Sequence, residues 1–303
     1  LIAMGLGLFT AFYGVIFAAI QTDMKRLLAW SSIENIGILF TGLGLAIVFH
    51  GAGMGSLAAL ALIATLYHCL NHALMKSLLF LGTGAVLHAT GERNLGRLGG
   101  LIHRMPWVAW LTLVGCLAIA GLPPLNGFVS EWLLLQAFLF ANEVPHTFVN
   151  MLLPIGGAVI ALCTALAGYV MVKFFGVIFL GQPREVALVN AHDAGLLEKL
   201  GMTWLAIGCV LLGVLPSQVI GRLGGVSQEL LGVSLPAGTE WWLLVPLDER
   251  SVSYGPLPIL LLGLVIVGLT VFLVQRLYHR RLRRGPAWDC GFERLDTRMQ
   301  DTA

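Results

Sequence analysis

The chain has 303 residues, of which 57% are hydrophobic and 11% charged, and it carries a net charge of +2. Ordinary globular chains are about 45–50% apolar and about 25% charged. That balance excludes a soluble enzyme and a basic nucleic-acid-binding domain. It leaves an all-α polytopic membrane bundle with the lipid bilayer as its surroundings.

A spanning helix needs about 20 mostly apolar residues, and seven segments qualify: 1–20, 27–49, 57–88, 105–141, 148–181, 202–221 and 256–278. The first, LIAMGLGLFTAFYGVIFAAI, has no basic leader and no small-residue cleavage site. It therefore reads as a membrane segment from within a longer protein, not as a signal peptide. The turn QTDMKR places Asp23, Lys25 and Arg26 before the second segment, where a solvated connector is the simplest reading. The second segment carries Glu34. The third carries His68, His72 and Lys76 in YHCLNHALMKSLLFL.

The third, fourth and fifth segments are too long for one straight crossing. A run of 32 residues at about 1.5 Å each reaches roughly 48 Å, against a hydrocarbon core of about 30 Å. In the fourth, GLPPLNG at 121–127 places Pro123, Pro124 and Gly127 in mid-segment, which predicts a broken helix. Unpaired backbone at membrane depth is tolerated only where it faces protein or a hydrated cavity. Glu131 follows four residues after that break. The 182–201 loop, with Glu185, Asp193 and Glu198, reads as a solvated connector, and 222–255 as the longest loop on the opposite side, without readable chemistry.

The loops also give the orientation. Lys25, Arg26, Arg93, Arg97, Arg104, Arg184, Lys199 and the Arg-rich stretch from Arg276 to Arg298 fall on one side, with Arg222 and Arg250 on the other. The positive-inside bias then places residue 1 outside and the basic tail 279–303 in the cytoplasm, and the expected location is the cell (inner) membrane. Trp107, Trp110, Trp204, Trp241 and Trp242 near segment ends fit an interfacial belt. Cys69, Cys116, Cys163, Cys209 and Cys290 show no metal-ligand or disulfide spacing and read as buried small residues. His50, His88, His103, His146, His192 and His279 lie in loops or at ends and need no function.

Glu34, His68, His72, Lys76, Glu131 and Lys173 remain within apolar segments. Each costs a few kcal/mol at the bilayer centre, so such groups face a bundle interior and often mark ion or proton routes. His68, His72 and Lys76 recur at i, i+4 and i+8, drifting only about 40° per step, and so form one stripe. That stripe is a candidate relay. Its alternative is a carbonyl-bonded His pair beside a snorkelling Lys. Glu131 is a candidate gate carboxylate, compatible with capping the second half-helix. Glu34 either admits protons or stays hydrated, and Lys173 either joins the route or snorkels to the surface.

QTDMKRLLAWSSIENIG, HCLNHALMKSLLFLGTGAV, GLPPLNGFVSEWLLLQAF and KFFGVIFLGQPR together resemble the antiporter-like proton-translocating subunits shared by respiratory complex I, membrane-bound hydrogenases and multisubunit sodium/proton antiporters. SSIENIG, Glu131 at the break and the tail PAWDCGFERLDTRMQ are similar to the branch containing hydrogenase-4 component B and formate hydrogenlyase subunit 3. The resemblance implies two inverted repeats in such subunits. Residues 1–181 would supply the second, five-helix half, 182–278 two further crossings, and 279–303 a tail. It implies Lys76 with His72 as the central relay, Glu131 as the residue of the broken helix, and Asp23 as the acid of the preceding loop. It also implies proton translocation without an active site, cofactor or metal of this chain's own. The implied partners are other membrane subunits and a hydrogenase or dehydrogenase peripheral arm. A sodium/proton antiporter subunit is the alternative, and a structural anchor whose buried charges only pair is the third. Nothing here matches the first repeat, so the chain is expected to hold half of a path.

Overall fold

A computed structural model describes residues 1–141, 144–235, 243–245, 247 and 253–277. They form nine α-helices: α1 (Ile2–Ala19), α2 (Met24–Gly51), α3 (Gly55–Thr90), α4 (Pro106–Ile119), α5 (Asn126–Leu139), α6 (Thr147–Phe179), α7 (Leu196–Val214), α8 (Pro216–Leu231) and α9 (Pro256–Leu277). Strands are absent among the described residues; only isolated bridges pair Asp23 with Asn94 and Leu244 with Tyr254. The chain is a multi-pass membrane protein. Helices α1, α2, α3, α6, α7 and α9 are each long and apolar enough to cross a bilayer, and α4 is a shorter apolar helix separated from α5 by a break.

Local chemistry sets the helix ends. The Asp23 carboxylate accepts from the amides of Lys25 at 2.9 Å and Arg26 at 3.1 Å, capping α2. Asp23 also pairs with Arg93 at 2.9 Å. Gly91, with φ of 68°, closes α3 in the left-handed conformation. Pro106 opens α4, where a missing N–H costs nothing. Asp193 accepts from the Trp107 amide of the same turn at 3.1 Å and pairs with Lys199 at 3.5 Å. Asp193 therefore holds α4 to the start of α7, more than the solvated connector expected of the 182–201 loop.

Helices α1 and α2 pack through small residues, as membrane helices do when no hydrophobic force draws them together. A β-carbon on Gly14 would lie 2.8 Å from Glu34 Cα, and one on Gly37 would lie 2.7 Å from Ala11 Cα. Helix α3 runs through the middle of the bundle and touches α2, α4, α5, α7 and α8. Helix α9 packs against α7 and buries only Pro256. Its apolar surface suits lipid on nearly every side.

Three expectations need correction, the first being Cys69, which reads as buried in the sequence and is exposed on α3. The segment read as 202–221 is two helices, because Pro216 cannot continue α7 and instead starts α8. Helix α8 buries Pro216, Ile220, Gly224 and Ser227 at helical spacing, so the first part of the supposed 222–255 loop is an amphipathic helix. The break in the fourth segment occupies 120–125, with a cis Pro123–Pro124 bond. Gly127 lies outside it, in the first turn of α5, where the Ala118 carbonyl of α4 leaves no room for a β-carbon. The tail 279–303, Arg250, Trp241, Trp242 and Cys290 lie outside the described residues.

Candidate functional site

Where α2, α3, α5 and α6 meet, the interior is polar. Lys76, on α3, is 5% exposed and donates from Nζ to the Leu28 carbonyl of α2 at 3.0 Å. Glu34, farther along α2, is 1% exposed and accepts from Ser31 Oγ at 3.3 Å. The hydrated alternative for Glu34 therefore has almost no surface to draw on. Glu34 and Lys76 interact electrostatically without a direct ion pair, and Glu34 also feels Glu131.

Glu131, on α5, is 5% exposed and accepts from Thr164 Oγ1 of α6 at 2.9 Å. The break is pressed against this carboxylate: a β-carbon on Gly121 would lie 2.8 Å from Glu131 Oε2. Gly121 has a φ of 63°, which L side chains rarely adopt. Cys163, beside Thr164 on α6, is fully buried.

His68 ties three helices together. Nδ1 meets Ser130 Oγ of α5 at 2.9 Å, and Nε2 meets Asn35 Oδ1 of α2 at 3.1 Å. Asn35 Nδ2 donates to the Ser31 carbonyl at 2.8 Å, which fixes the carboxamide with its oxygen towards the ring. His68 Nε2 must then carry the hydrogen, and in the neutral ring Nδ1 accepts. Asn71 Nδ2 completes the bridge, donating to the Asn126 carbonyl at 2.7 Å and to Ser130 Oγ at 3.0 Å. Asn35, Asn71, Ser130 and Thr164 escaped the sequence reading, which followed charge. Their signal was position: each lies within an apolar helix, and Asn35 and Ser130 adjoin the buried carboxylates.

The predicted residues thus divide. Lys76, Glu34 and Glu131 are buried on three separate helices, while His68 bridges Asn35 of α2 and Ser130 of α5. His72 is half-buried and its Nε2 has no hydrogen-bond partner; the structure does not link it by a hydrogen bond to His68 or Lys76. Lys173 lies apart at the end of α6. It donates to the Ala19 and Gln21 carbonyls at 2.6 and 3.1 Å, capping α1. Asp23 is likewise apart, capping α2. Pro123 and Pro124 sit in the break, whose far side packs so closely on Gly213 of α7 that no β-carbon fits. Among the described residues, no three His, Cys, Asp or Glu side chains are grouped to hold a metal.

The geometry is that of a membrane bundle with a broken helix and with Glu34, Lys76 and Glu131 buried on separate helices. Residues 1–155 match the family described as NADH:quinone oxidoreductase/Mrp antiporter, TM. The chain belongs to that family. Within the NADH:quinone oxidoreductase/Mrp antiporter family it is similar to formate hydrogenlyase subunit 3 of Escherichia coli, 37% identical over 95% of this chain and 45% of that protein. Hydrogenase-4 component B of Escherichia coli is 34% identical over 96% of this chain and 44% of that protein. A solved relative belongs to the membrane-bound sulfane sulfur reductase, an archaeal respiratory membrane complex. It superimposes with a TM-score of 0.75 at 29% identity, over 96% of this chain and 43% of that one. The chain spans less than half the length of each of these relatives.

Proposed function

We propose that this chain carries part of a proton route in a membrane subunit of a hydrogenase-type or complex I-like respiratory complex. The observation that carries the reading is the burial of Lys76, Glu34 and Glu131 on three helices beside a helix break. Buried charge is costly in a membrane and is retained where a charge must be moved. The similarity to formate hydrogenlyase subunit 3 and hydrogenase-4 component B supports the type of complex.

In this reading residues 1–181 form the second half of an antiporter-like domain, 182–278 add two crossings, and 279–303 form a cytoplasmic tail. The loop 91–105 supports that orientation: it is hydrogen-bonded to 22–24 and to Leu180, gathering Lys25, Arg26, Arg93, Arg97 and Arg104 at one end. Redox cofactors belong to partner subunits of a peripheral arm. A change of charge there shifts the balance between Lys76 and Glu34, and the proton moves on to Glu131. This route differs from one through His72 and His68, because His68 is engaged with Asn35 and Ser130 and no hydrogen bond joins His72 to His68 or Lys76. His68 instead holds α2, α3 and α5 in register.

Sodium/proton antiport is the second reading, since the family includes Mrp antiporters. Both are tested by Lys76→Met in the full-length subunit, assembled in inverted membrane vesicles, with acidification followed in sodium-free medium. The parent acidifies the lumen without sodium and the variant does not. Acidification by an assembled Lys76→Met complex at the parental rate contradicts the proton route. A requirement for sodium in the parent favours antiport.

A further inference from the structure

Thr164 Oγ1 lies 2.9 Å from Glu131 Oε2 and 3.2 Å from the Ile160 carbonyl of its own helix. A hydroxyl has one hydrogen and two acceptor lone pairs, and its hydrogen rotates to suit its neighbours. An ionised carboxylate can only accept; a protonated one must also donate. Thr164 serves both conditions from one place. When Glu131 is ionised, the Thr164 hydrogen points to Oε2. When Glu131 takes up a proton, its O–H donates to Thr164 Oγ1 and the Thr164 hydrogen turns to the Ile160 carbonyl. No backbone movement is needed, and neither Thr164 Oγ1 nor Glu131 Oε2 loses its partner in either state.

We propose that Thr164 is a positioning residue for the proton-carrying Glu131, a two-way hydroxyl that keeps the loaded and unloaded carboxyl groups in the same place. Bonding of a Thr hydroxyl to the carbonyl four residues back is common in helices and is by itself only local. Here the same hydroxyl also faces a buried carboxyl group on another helix. Gly121 of the break adjoins both groups, since its β-carbon would lie 2.8 Å from Glu131 Oε2 and 3.2 Å from Thr164 Cγ2, so the carboxyl group has little room between the break and α6.

The inference rests on Glu131 carrying a proton, and its test separates the two claims. Thr164→Val, Thr164→Ser and Glu131→Gln are introduced into the full-length subunit of the assembled complex. Proton translocation is measured in vesicles, together with the infrared carbonyl band of the Glu131 carboxylic acid, identified by its loss in Glu131→Gln. Thr164→Val keeps the shape and removes the hydroxyl; translocation falls roughly tenfold or more, the scale of a hydrogen bond to a charged group, and the band moves. Thr164→Ser restores both. Thr164→Ala gives the same loss should the Val variant not assemble. Translocation at the parental rate with an unmoved band in Thr164→Val or Thr164→Ala overturns the role of Thr164 and leaves Glu131 standing. Translocation at the parental rate in Glu131→Gln removes both claims.

Discussion

Replacing Lys76 with Met lowers the stability of the bundle and stops proton translocation, and adding Glu34→Gln recovers the stability alone. Lys76→Met leaves Glu34 in the interior with Ser31 as its hydrogen-bond partner and without the Lys76 cation. Breaking a buried ion pair by removing one partner costs about 3–5 kcal/mol. The loss here falls short of that because Glu34 and Lys76 interact without touching. In the double variant the uncompensated charge is gone, and two neutral side chains of similar volume are tolerated where the pair was. A structural anchor predicts that both stability and activity return; the proton route predicts stability without translocation. Thermal denaturation of the detergent-solubilised protein beside vesicle acidification reads the difference.

Gly121→Ala has the second large effect, and it is more severe on activity than on stability. The left-handed conformation costs a residue with a β-carbon about 1–2 kcal/mol. The new carbon would sit 2.8 Å from Glu131 Oε2 and 3.2 Å from Thr164 Cγ2. The carboxyl group is the flexible partner and gives way, so Glu131 leaves Thr164 while the bundle survives. Gly168→Ala is the control: nothing lies near its β-carbon, it is within α6, and removing a helical Gly stabilises by about 0.5–1 kcal/mol. Loss of translocation in Gly121→Ala, with a small fall in melting temperature and a normal Gly168→Ala protein, is the expected result. Equal translocation in all three would contradict the confinement of Glu131 by the break.

The crossings and the break were legible because each depends on local sequence: a run of apolar residues, or two prolines in a row. Helix α8 was missed although Pro216 marked its start, because an apolar run on both sides of a proline reads as one segment until the proline's position at N1 is taken seriously. The site was legible in its charges and illegible in its partners. Lys76 meets Leu28, Glu131 meets Thr164 and His68 meets Ser130 across different helices, and no periodicity within one helix encodes such pairings. Periodicity did place His68, His72 and Lys76 on one stripe. The same drift of about 40° per step leaves its ends pointing apart, His68 bridging α2 and α5 and Lys76 reaching the α2 carbonyl of Leu28. The neutral groups that organise the site carried no signal of cost, since Asn, Ser and Thr in membrane helices usually satisfy themselves on the preceding turn.

The central claim is that Glu131, buried beside the break, takes up and releases the translocated proton. Its most direct measurement is the ratio of protons translocated to electrons transferred by the assembled complex in vesicles, compared between the parent subunit and Glu131→Gln. Glutamine keeps the size of the side chain and can still meet the Thr164 hydroxyl, but it cannot exchange a proton at neutral pH. The ratio is expected to fall in Glu131→Gln while the complex remains assembled; an unchanged ratio in the assembled variant would show that Glu131 does not carry the translocated proton.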